Sequence, residues 1–391
     1  MRSALEQEIR DLIYKYGRIT FAQFMQTCLY SPRGGFYAAR DNRITTHFGT
    51  APTSHPVFGT LIARQLAQMW HLLGDPPTFH VIEVGSGDGA LAQAIVQACG
   101  RIAPRLAQAL SYVAADYAPR WFPAPDYTFA WDDGTGRHDG VSPSKQDALA
   151  GVHRVQTAGL RAFRNIAGCI LCNELLDNFP VHRFAIQNGS IKEVFVTLAG
   201  EQLTEVLDEP STPRIEERLT NLGVSLPDGY RGEVNLVMED WTSQLATALD
   251  RGFILTIDYG QLAADLYAPQ NNQGTLVCYH RHVASNDPYQ HIGQQDITCQ
   301  IDFTSLMRLG ERHGLATVGY ALQRQFLTNL GFSSYLEALQ TQGLSAARTA
   351  LSRMAMLALV DPEDYGDFKV LAQAKGHELG MELLGFAQQD T

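Results

Sequence analysis

Leu5, Ile9, Leu12 and Ile13 recur at the spacing of one helix face, and Phe21, Phe24 and Met25 repeat it in a second helix. Pro32-Arg33-Gly34-Gly35 punctuates a turn-rich stretch. Helical spacing resumes in PVFGTLIARQLAQMWHLLG and stops at Gly74-Asp75-Pro76-Pro77. Residues 1–75 are therefore expected to form an N-terminal helical extension holding one glycine-rich loop.

From residue 76 the rhythm changes. FHVIEVG is a short apolar strand running into glycines, and ALAQAIVQACG reads as the helix after it. SYVAADY, VHRVQTAGL, GCILCNELL and GFILTIDYG are further strand-like runs, with a helix predicted near VMEDWTSQLATALD. Apolar strands alternating with helices predict an α/β fold: a mostly parallel sheet with helices on both faces. Residues 76–391 are expected to be this core, interrupted twice. Over about 184–232, Asn188-Gly189 sits between two strand-like runs and predicts an inserted β-hairpin, followed by a polar, proline-marked segment. Over about 261–300 no period is visible and a long loop is expected. A helix in DFTSLMRLGERHG, a strand in LATVGYALQ and a closing strand in DFKVLAQAKG complete the pattern.

Composition narrows the class. With 45% hydrophobic and 18% charged residues, the 391-residue chain has the make-up of a globular protein. A formal net charge of -11 argues against a broad nucleic-acid footprint, so no nucleic-acid partner is expected. Cys28, Cys99, Cys169, Cys172, Cys278 and Cys299 are scattered through apolar runs, as reduced buried thiols are. The Cys169-x-x-Cys172 spacing lies on a predicted strand, where side chains three apart face opposite ways, which opposes a redox pair. MRSALEQEIRDLIYKYGRIT carries charges throughout and no signal-peptide core, and no run approaches a membrane span. A cytoplasmic location is expected.

The chemistry begins at Glu83-Val84-Gly85-Ser86-Gly87-Asp88-Gly89. Glycines are required where a strand turns sharply into a helix and a ligand meets the backbone, and the helix N-terminus offers unpaired amides. With Ala90 the string also fits the dinucleotide pattern G-x-G-x-x-G/A. Two features favour S-adenosylmethionine. Glu83 places a carboxylate where the cationic amino-acid end of that cofactor would lie and a pyrophosphate would be repelled. The third glycine follows the second by two residues, giving the E-x-G-x-G-x-G form of class I methyltransferases. Asp116, ending the next strand, is suited to the ribose hydroxyls. Glu83, Gly85, Ser86, Gly87, Gly89 and Asp116 are the predicted cofactor contacts.

Several separated segments resemble the MidA family: CLYSPRGGFY, TAPTSHPVFGTLIA, EVGSGDG, CNELLDNFPVHRF, LTIDYG and GTLVCYHRHVASNDPYQHIGQQDITCQIDF. The resemblance spans nearly the whole chain. It implies a class I, Rossmann-like methyltransferase core with an N-terminal extension and an insertion, and a protein arginine as methyl acceptor. Family members acting in the mitochondrial matrix make a respiratory-complex subunit the analogous partner. The chain departs from the family at His47 and Thr53, where acidic residues are usual, in its glycine turn, and in FPAPDYTFAWDDGTGRHDGVSPSKQ.

Methyl transfer needs a nucleophile aligned with the sulfonium methyl. An arginine acceptor adds a task, because its guanidinium stays charged with a delocalised lone pair. A pair of carboxylates would hold it bidentately and take the proton that is lost. Asn173-Glu174-x-x-Asp177 ends a central strand, where open α/β sheets place ligands. Glu174 and Asp177 are the candidates to grip the acceptor, and Asn173 to orient it through its amide oxygen. Asp258 and Tyr259 end the next strand, and with Tyr37 and His182 they are candidate wall residues. Cys278, His280, His282 and His291 lack a familiar zinc spacing, so no metal is expected. Three readings follow: a methyltransferase acting on protein, an S-adenosylmethionine-binding assembly factor without catalysis, and a nicotinamide-dependent oxidoreductase.

Overall fold

The computed structural model describes residues 3–38, 50–117, 152–157, 159–376 and 382–387. His47 and residues 122–146 lie outside them. The chain divides into two compact units, one built from residues 1–49, 174–244 and 258–313, the other from 50–173, 245–257 and 314–391.

The second unit is built on a seven-stranded sheet. Its strands are β1 (Phe79–Val84), β2 (Leu110–Asp116), β3 (Val152–Gln156), β4 (Ile166–Asn173), β5 (Leu249–Asp258), β6 (Ala316–Leu322) and β7 (Lys369–Lys375). Their order is β6-β7-β5-β4-β1-β2-β3. The pairs β1–β2, β2–β3, β1–β4 and β4–β5 are parallel, and β6–β7 is antiparallel. The order therefore reverses between β1 and β4, the switch point beside which doubly wound sheets bind ligands. Each central strand is a continuous apolar run because its side chains are buried: Cys169, Ile170, Leu171 and Cys172 of β4 are all 0% exposed. Neither cysteine is in a disulfide, and burial pushes the Cys169 thiol up to about 12, which leaves it inert. The helices Val57–Leu72 and Ala90–Ile102 contribute Phe58, Leu61, Leu66, Leu91 and Ile95 to the core beneath Val81, Leu171 and Leu255.

Glycine is required where β4 meets its neighbours. Gly168 has φ +152°, and a Cβ there would lie 2.0 Å from the His80 carbonyl oxygen. Gly252 repeats the arrangement against the Gly168 carbonyl oxygen, again at 2.0 Å. The stagger of β1, β4 and β5 rests on these two missing side chains.

The first unit begins with the helices Ala4–Tyr16 and Phe21–Tyr30, each opened by a reciprocal capping box, Ser3 with Glu6 and Thr20 with Gln23. The hairpin expected at Asn188-Gly189 is present. His182–Gln187 pairs antiparallel with Ser190–Ala199 down to Gln187 opposite Ser190. The two turn residues have φ of 53° and 73°, as a type I′ turn requires. Asp228 accepts hydrogen bonds from both turn amides. Ile19–Thr20, Gln202–Asp208 and Arg231–Val234 extend the hairpin to five strands, and helix Arg214–Leu222 occupies the proline-marked segment.

Within residues 261–300, expected as a loop, Val277–His280 pairs antiparallel with both Val283–Ser285 and Asp296–Thr298. Strands of three or four residues are too short to show a period of two. Cys28, Cys278 and Cys299 are buried in this unit among Phe24, Leu29 and Ile297. Among the described residues no helix is long and apolar enough to cross a membrane.

Candidate active site

At the end of β1 the chain makes the glycine turn. Gly85, Gly87 and Gly89 have φ of 76°, 52° and 83°, a region costly to any side chain with a Cβ. The amides of Gly85 and Ser86 both donate to the Ala115 carbonyl at the end of β2. Gly89 then caps the helix Ala90–Ile102, whose first amide donates to Asp88 Oδ1 at 3.0 Å. The turn is thus fixed to the neighbouring strand tip before the helix begins.

Asp116 closes it from β2: its Oδ2 accepts from the Gly87 amide at 2.9 Å. A Cβ on Gly87 would meet nothing within 4 Å, so the backbone borders open space. Ser86 is 6% exposed, and its Oγ is buried with no hydrogen-bond partner. A buried hydroxyl without a partner beside a glycine turn suits a polar ligand that supplies one.

Glu83 is 3% exposed, and its Oε2 accepts from Tyr112 Oη at 2.8 Å. Burial pushes its carboxyl up to about 8 in spite of that hydrogen bond, with the Asp116 and Asp88 charges pushing the same way. Glu83 is therefore largely protonated at neutral pH, and Tyr112, which sequence reasoning missed, is its anchor.

In the other unit, Asp177 lies in a single 3-10 turn, Leu176–Asn178. Its Oδ2 accepts from Tyr259 Oη at 2.6 Å, while its Oδ1 is buried with no partner. Asp258 is fully buried; its Oδ2 accepts from the Leu175 and Leu176 amides and its Oδ1 from the Tyr259 amide. Asp296, 1% exposed, accepts from Tyr37 Oη at 2.9 Å, from the Ile297 amide and from the Asn178 side chain. Among the described residues, Asp177 Oδ1 alone of these six carboxylate oxygens has no donor.

Burial raises all three carboxyls. Asp177 is pushed up to about 6 and Asp296 to about 8, and the neighbouring Asp177 charge adds to the shifts of Asp258 and Asp296. Among the described residues no lysine, arginine or histidine pairs with any of them. Buried carboxylates are ordinarily paired, so this cluster is suited to receive a cation.

Four predicted residues thus come together: Asp177, Asp258, Tyr259 and Tyr37. Asp296 and Asn178 join them unpredicted. An aspartate directly preceding the short strand-like run ITCQI was the one available signal for Asp296, and Asn178 carried none. His182 is engaged elsewhere, its Nδ1 lying 2.7 Å from Glu193 Oε1. Glu174 follows Asn173, the last residue of β4, with φ +48°, uncommon for a residue bearing a Cβ. The rings of His280 and His291 stack at 4.1 Å, and among the described residues no group of three acidic, histidine or cysteine side chains is arranged to hold a metal.

A family model described as "Putative S-adenosyl-L-methionine-dependent methyltransferase" matches residues 61–321, more than half of the chain. The mitochondrial protein arginine methyltransferase NDUFAF7 homolog of Drosophila melanogaster is 26% identical over 395 residues, covering 95% of this chain and 85% of the relative. The Homo sapiens NDUFAF7 is 26% identical over 345 residues, covering 85% and 75%. A crystal structure from Burkholderia thailandensis with bound S-adenosyl-homocysteine superposes with a TM-score of 0.80 at 25% identity, over 99% of this chain and 95% of that one.

Proposed function

The chain belongs to the Methyltransf_28 family of S-adenosylmethionine-dependent methyltransferases, and from that premise we propose that it methylates an arginine side chain of a protein acceptor. The observation that carries the choice of acceptor is the cluster of Asp177, Asp258 and Asp296, buried and without a paired cation among the described residues. A guanidinium keeps its charge in any environment a protein offers, so it suits a buried carboxylate oxygen without a donor, as Asp177 Oδ1 is among the described residues. The relatives named as protein arginine methyltransferases support the same acceptor. The family resemblance makes a respiratory-complex subunit the first protein to test.

S-adenosylmethionine supplies an electrophilic methyl group on its sulfonium. Gly85, Gly87 and Gly89 leave the turn backbone accessible to it, Ser86 Oγ would supply a hydrogen bond, and Asp116 would hold the ribose. Glu83 would pair with the cofactor's ammonium end as a carboxylate, its proton released to water on binding. Asp177 grips the acceptor guanidinium through Oδ1 and accepts the proton released on transfer. Glu174 shares the grip, and Asn173 orients the acceptor. Asp258 and Tyr259 hold Asp177 in place.

The test is incubation with methyl-labelled S-adenosylmethionine and protein extract from cells lacking this chain. Label on arginine, absent with Asp177→Asn, is expected; label on lysine or a small molecule overturns the choice of acceptor. A second reading is an assembly factor that binds the cofactor without catalysis. Thr53, one departure from the family, hydrogen-bonds within its own helical turn to Thr50. Tight cofactor binding with no label anywhere would select that reading. Family membership sets the nicotinamide reading aside.

A further inference from the structure

Asp177 depends on its turn being held at both ends. At the entry, Asp258 takes the amides of Leu175 and Leu176 at 3.1 and 2.9 Å. At the exit, Asn178 Nδ2 donates to the carboxyl of Asp296 at 3.2 and 3.3 Å. The backbone is fixed further by the Cys299 amide on the Asp177 carbonyl at 3.0 Å and by Tyr30 Oη on the Asn178 carbonyl at 3.2 Å. Asp296 is itself fixed by Tyr37 Oη and the Ile297 amide. Asp296 lies in Asp296–Thr298, whose strand pairing sets it opposite Tyr279. The exit clamp is thus independent of the strand end that carries Asp258.

We propose that Asp296, acting through Asn178 and Tyr37, is a positioning residue that aims Asp177 Oδ1 at the cationic acceptor. The inference rests on the proposed arginine chemistry and adds a residue to it. Asp296 does this as a neutral acid. Among the described residues, the titratable groups whose charges act on it are carboxyl, phenol or thiol: Asp177 on the 3-10 turn, Tyr37 on the N-terminal segment, and Cys278 and Tyr279 on the paired strand. None supplies a positive charge to stabilise the anion. In the neutral acid, Oδ2 donates to Tyr37 Oη, which can turn to accept, while Oδ1 accepts from the Asn178 and Ile297 amides, and an asparagine copies that pattern in nearly the same volume.

The experiment compares Asp296→Ala, Asn178→Ala and Asp296→Asn with the wild-type full chain. Initial rates of label transfer to arginine are measured at saturating extract from cells lacking this chain, and S-adenosylmethionine affinity by calorimetry. Asp296→Ala and Asn178→Ala are expected to lose about a hundredfold in rate, the scale set by misplacing a reacting group by an ångström. Their cofactor affinity should stay within about threefold, a difference of less than 1 kcal/mol. Asp296→Asn is expected to recover most of the rate and to lose any inhibition seen in the wild type as pH rises through about 8. Wild-type rates in Asn178→Ala, or an Asp296→Asn chain that binds cofactor normally but is as slow as Asp296→Ala, overturn the proposal. Asn178→Ala decides the matter if Asp296→Ala does not fold. No arginine label from the wild type would instead remove the acceptor assignment beneath it.

Discussion

Asp116 Oδ2 and the Gly87 amide meet at 2.9 Å, joining the tip of β2 to the turn that follows β1. One carboxylate thereby fixes the conformation of the glycine turn, and in the proposed mechanism it also meets the ribose hydroxyls. Asp116→Ala removes both functions. It should weaken S-adenosylmethionine binding by about 1–3 kcal/mol, the penalty for a polar group losing its partner in a buried site. Calorimetry checks this, and an unchanged affinity would move the ribose contact to another residue.

Glu83 gives the chain a pH signature. Its folded-state value near 8 stands above its ordinary 4.5 because of burial. A carboxyl raised on folding contributes fully at pH below about 4.5, and the contribution is lost as pH rises through about 8. Asp177 and Asp296 act in the same direction. Glu83→Gln, always neutral, should gain in melting temperature relative to the wild type across pH 5 to 8. Parallel melting curves over that range would show that Glu83 is ionised within the fold.

The same reasoning sets the acid limb of catalysis. On the proposed mechanism Asp177, pushed up by burial to about 6, would bind a guanidinium only when ionised. The rate at limiting acceptor should fall as pH drops below about 6, approaching tenfold per unit. Asp177→Asn should be slow throughout, with cofactor affinity unchanged. A flat rate from pH 5 to 7 would take the acceptor away from Asp177.

Asp258 is predicted to matter for stability first. It is fully buried and accepts from three backbone amides, those of Leu175, Leu176 and Tyr259. Asp258→Ala should destabilise the fold by about 3 kcal/mol or more, since stranded buried donors each carry a desolvation penalty. Urea unfolding provides the measurement, and a loss near zero would mean that water replaces the carboxylate at little cost.

Gly168→Ala tests the sheet. Its Cβ would lie 2.0 Å from the His80 carbonyl oxygen at φ +152°, so β1 and β4 must separate. A loss of about 3 kcal/mol or more is expected, in the range reserved for overpacking and backbone strain. Thermal unfolding checks it, and a near-native melting temperature would show that the strands shift cheaply.

How much of this was legible beforehand follows from distance along the chain. β1, β2, β4 and β5 were readable because each is an unbroken apolar run, and the hairpin because Asn188-Gly189 tolerates the positive φ of its turn. The glycine turn was readable because its residues are consecutive. The acidic cluster was only half readable. Asp177 and Asp258 stand at or just beyond strand ends, where position alone makes them suspect, but Asp296 is linked to Tyr37 across 259 residues. Tyr112 was silent for a related reason: its phenol reaches Glu83 between paired strands, and nothing local distinguishes it from a core aromatic.

The six cysteines have a practical consequence. Cys28, Cys278 and Cys299 belong to one compact unit and Cys99, Cys169 and Cys172 to the other, and all are buried with none in a disulfide. Each half of the molecule therefore carries its own internal clock. Alkylation followed by peptide mapping would time the opening of the two halves separately in the unmodified protein, with no introduced label, and would reveal which one loosens first when cofactor is withdrawn.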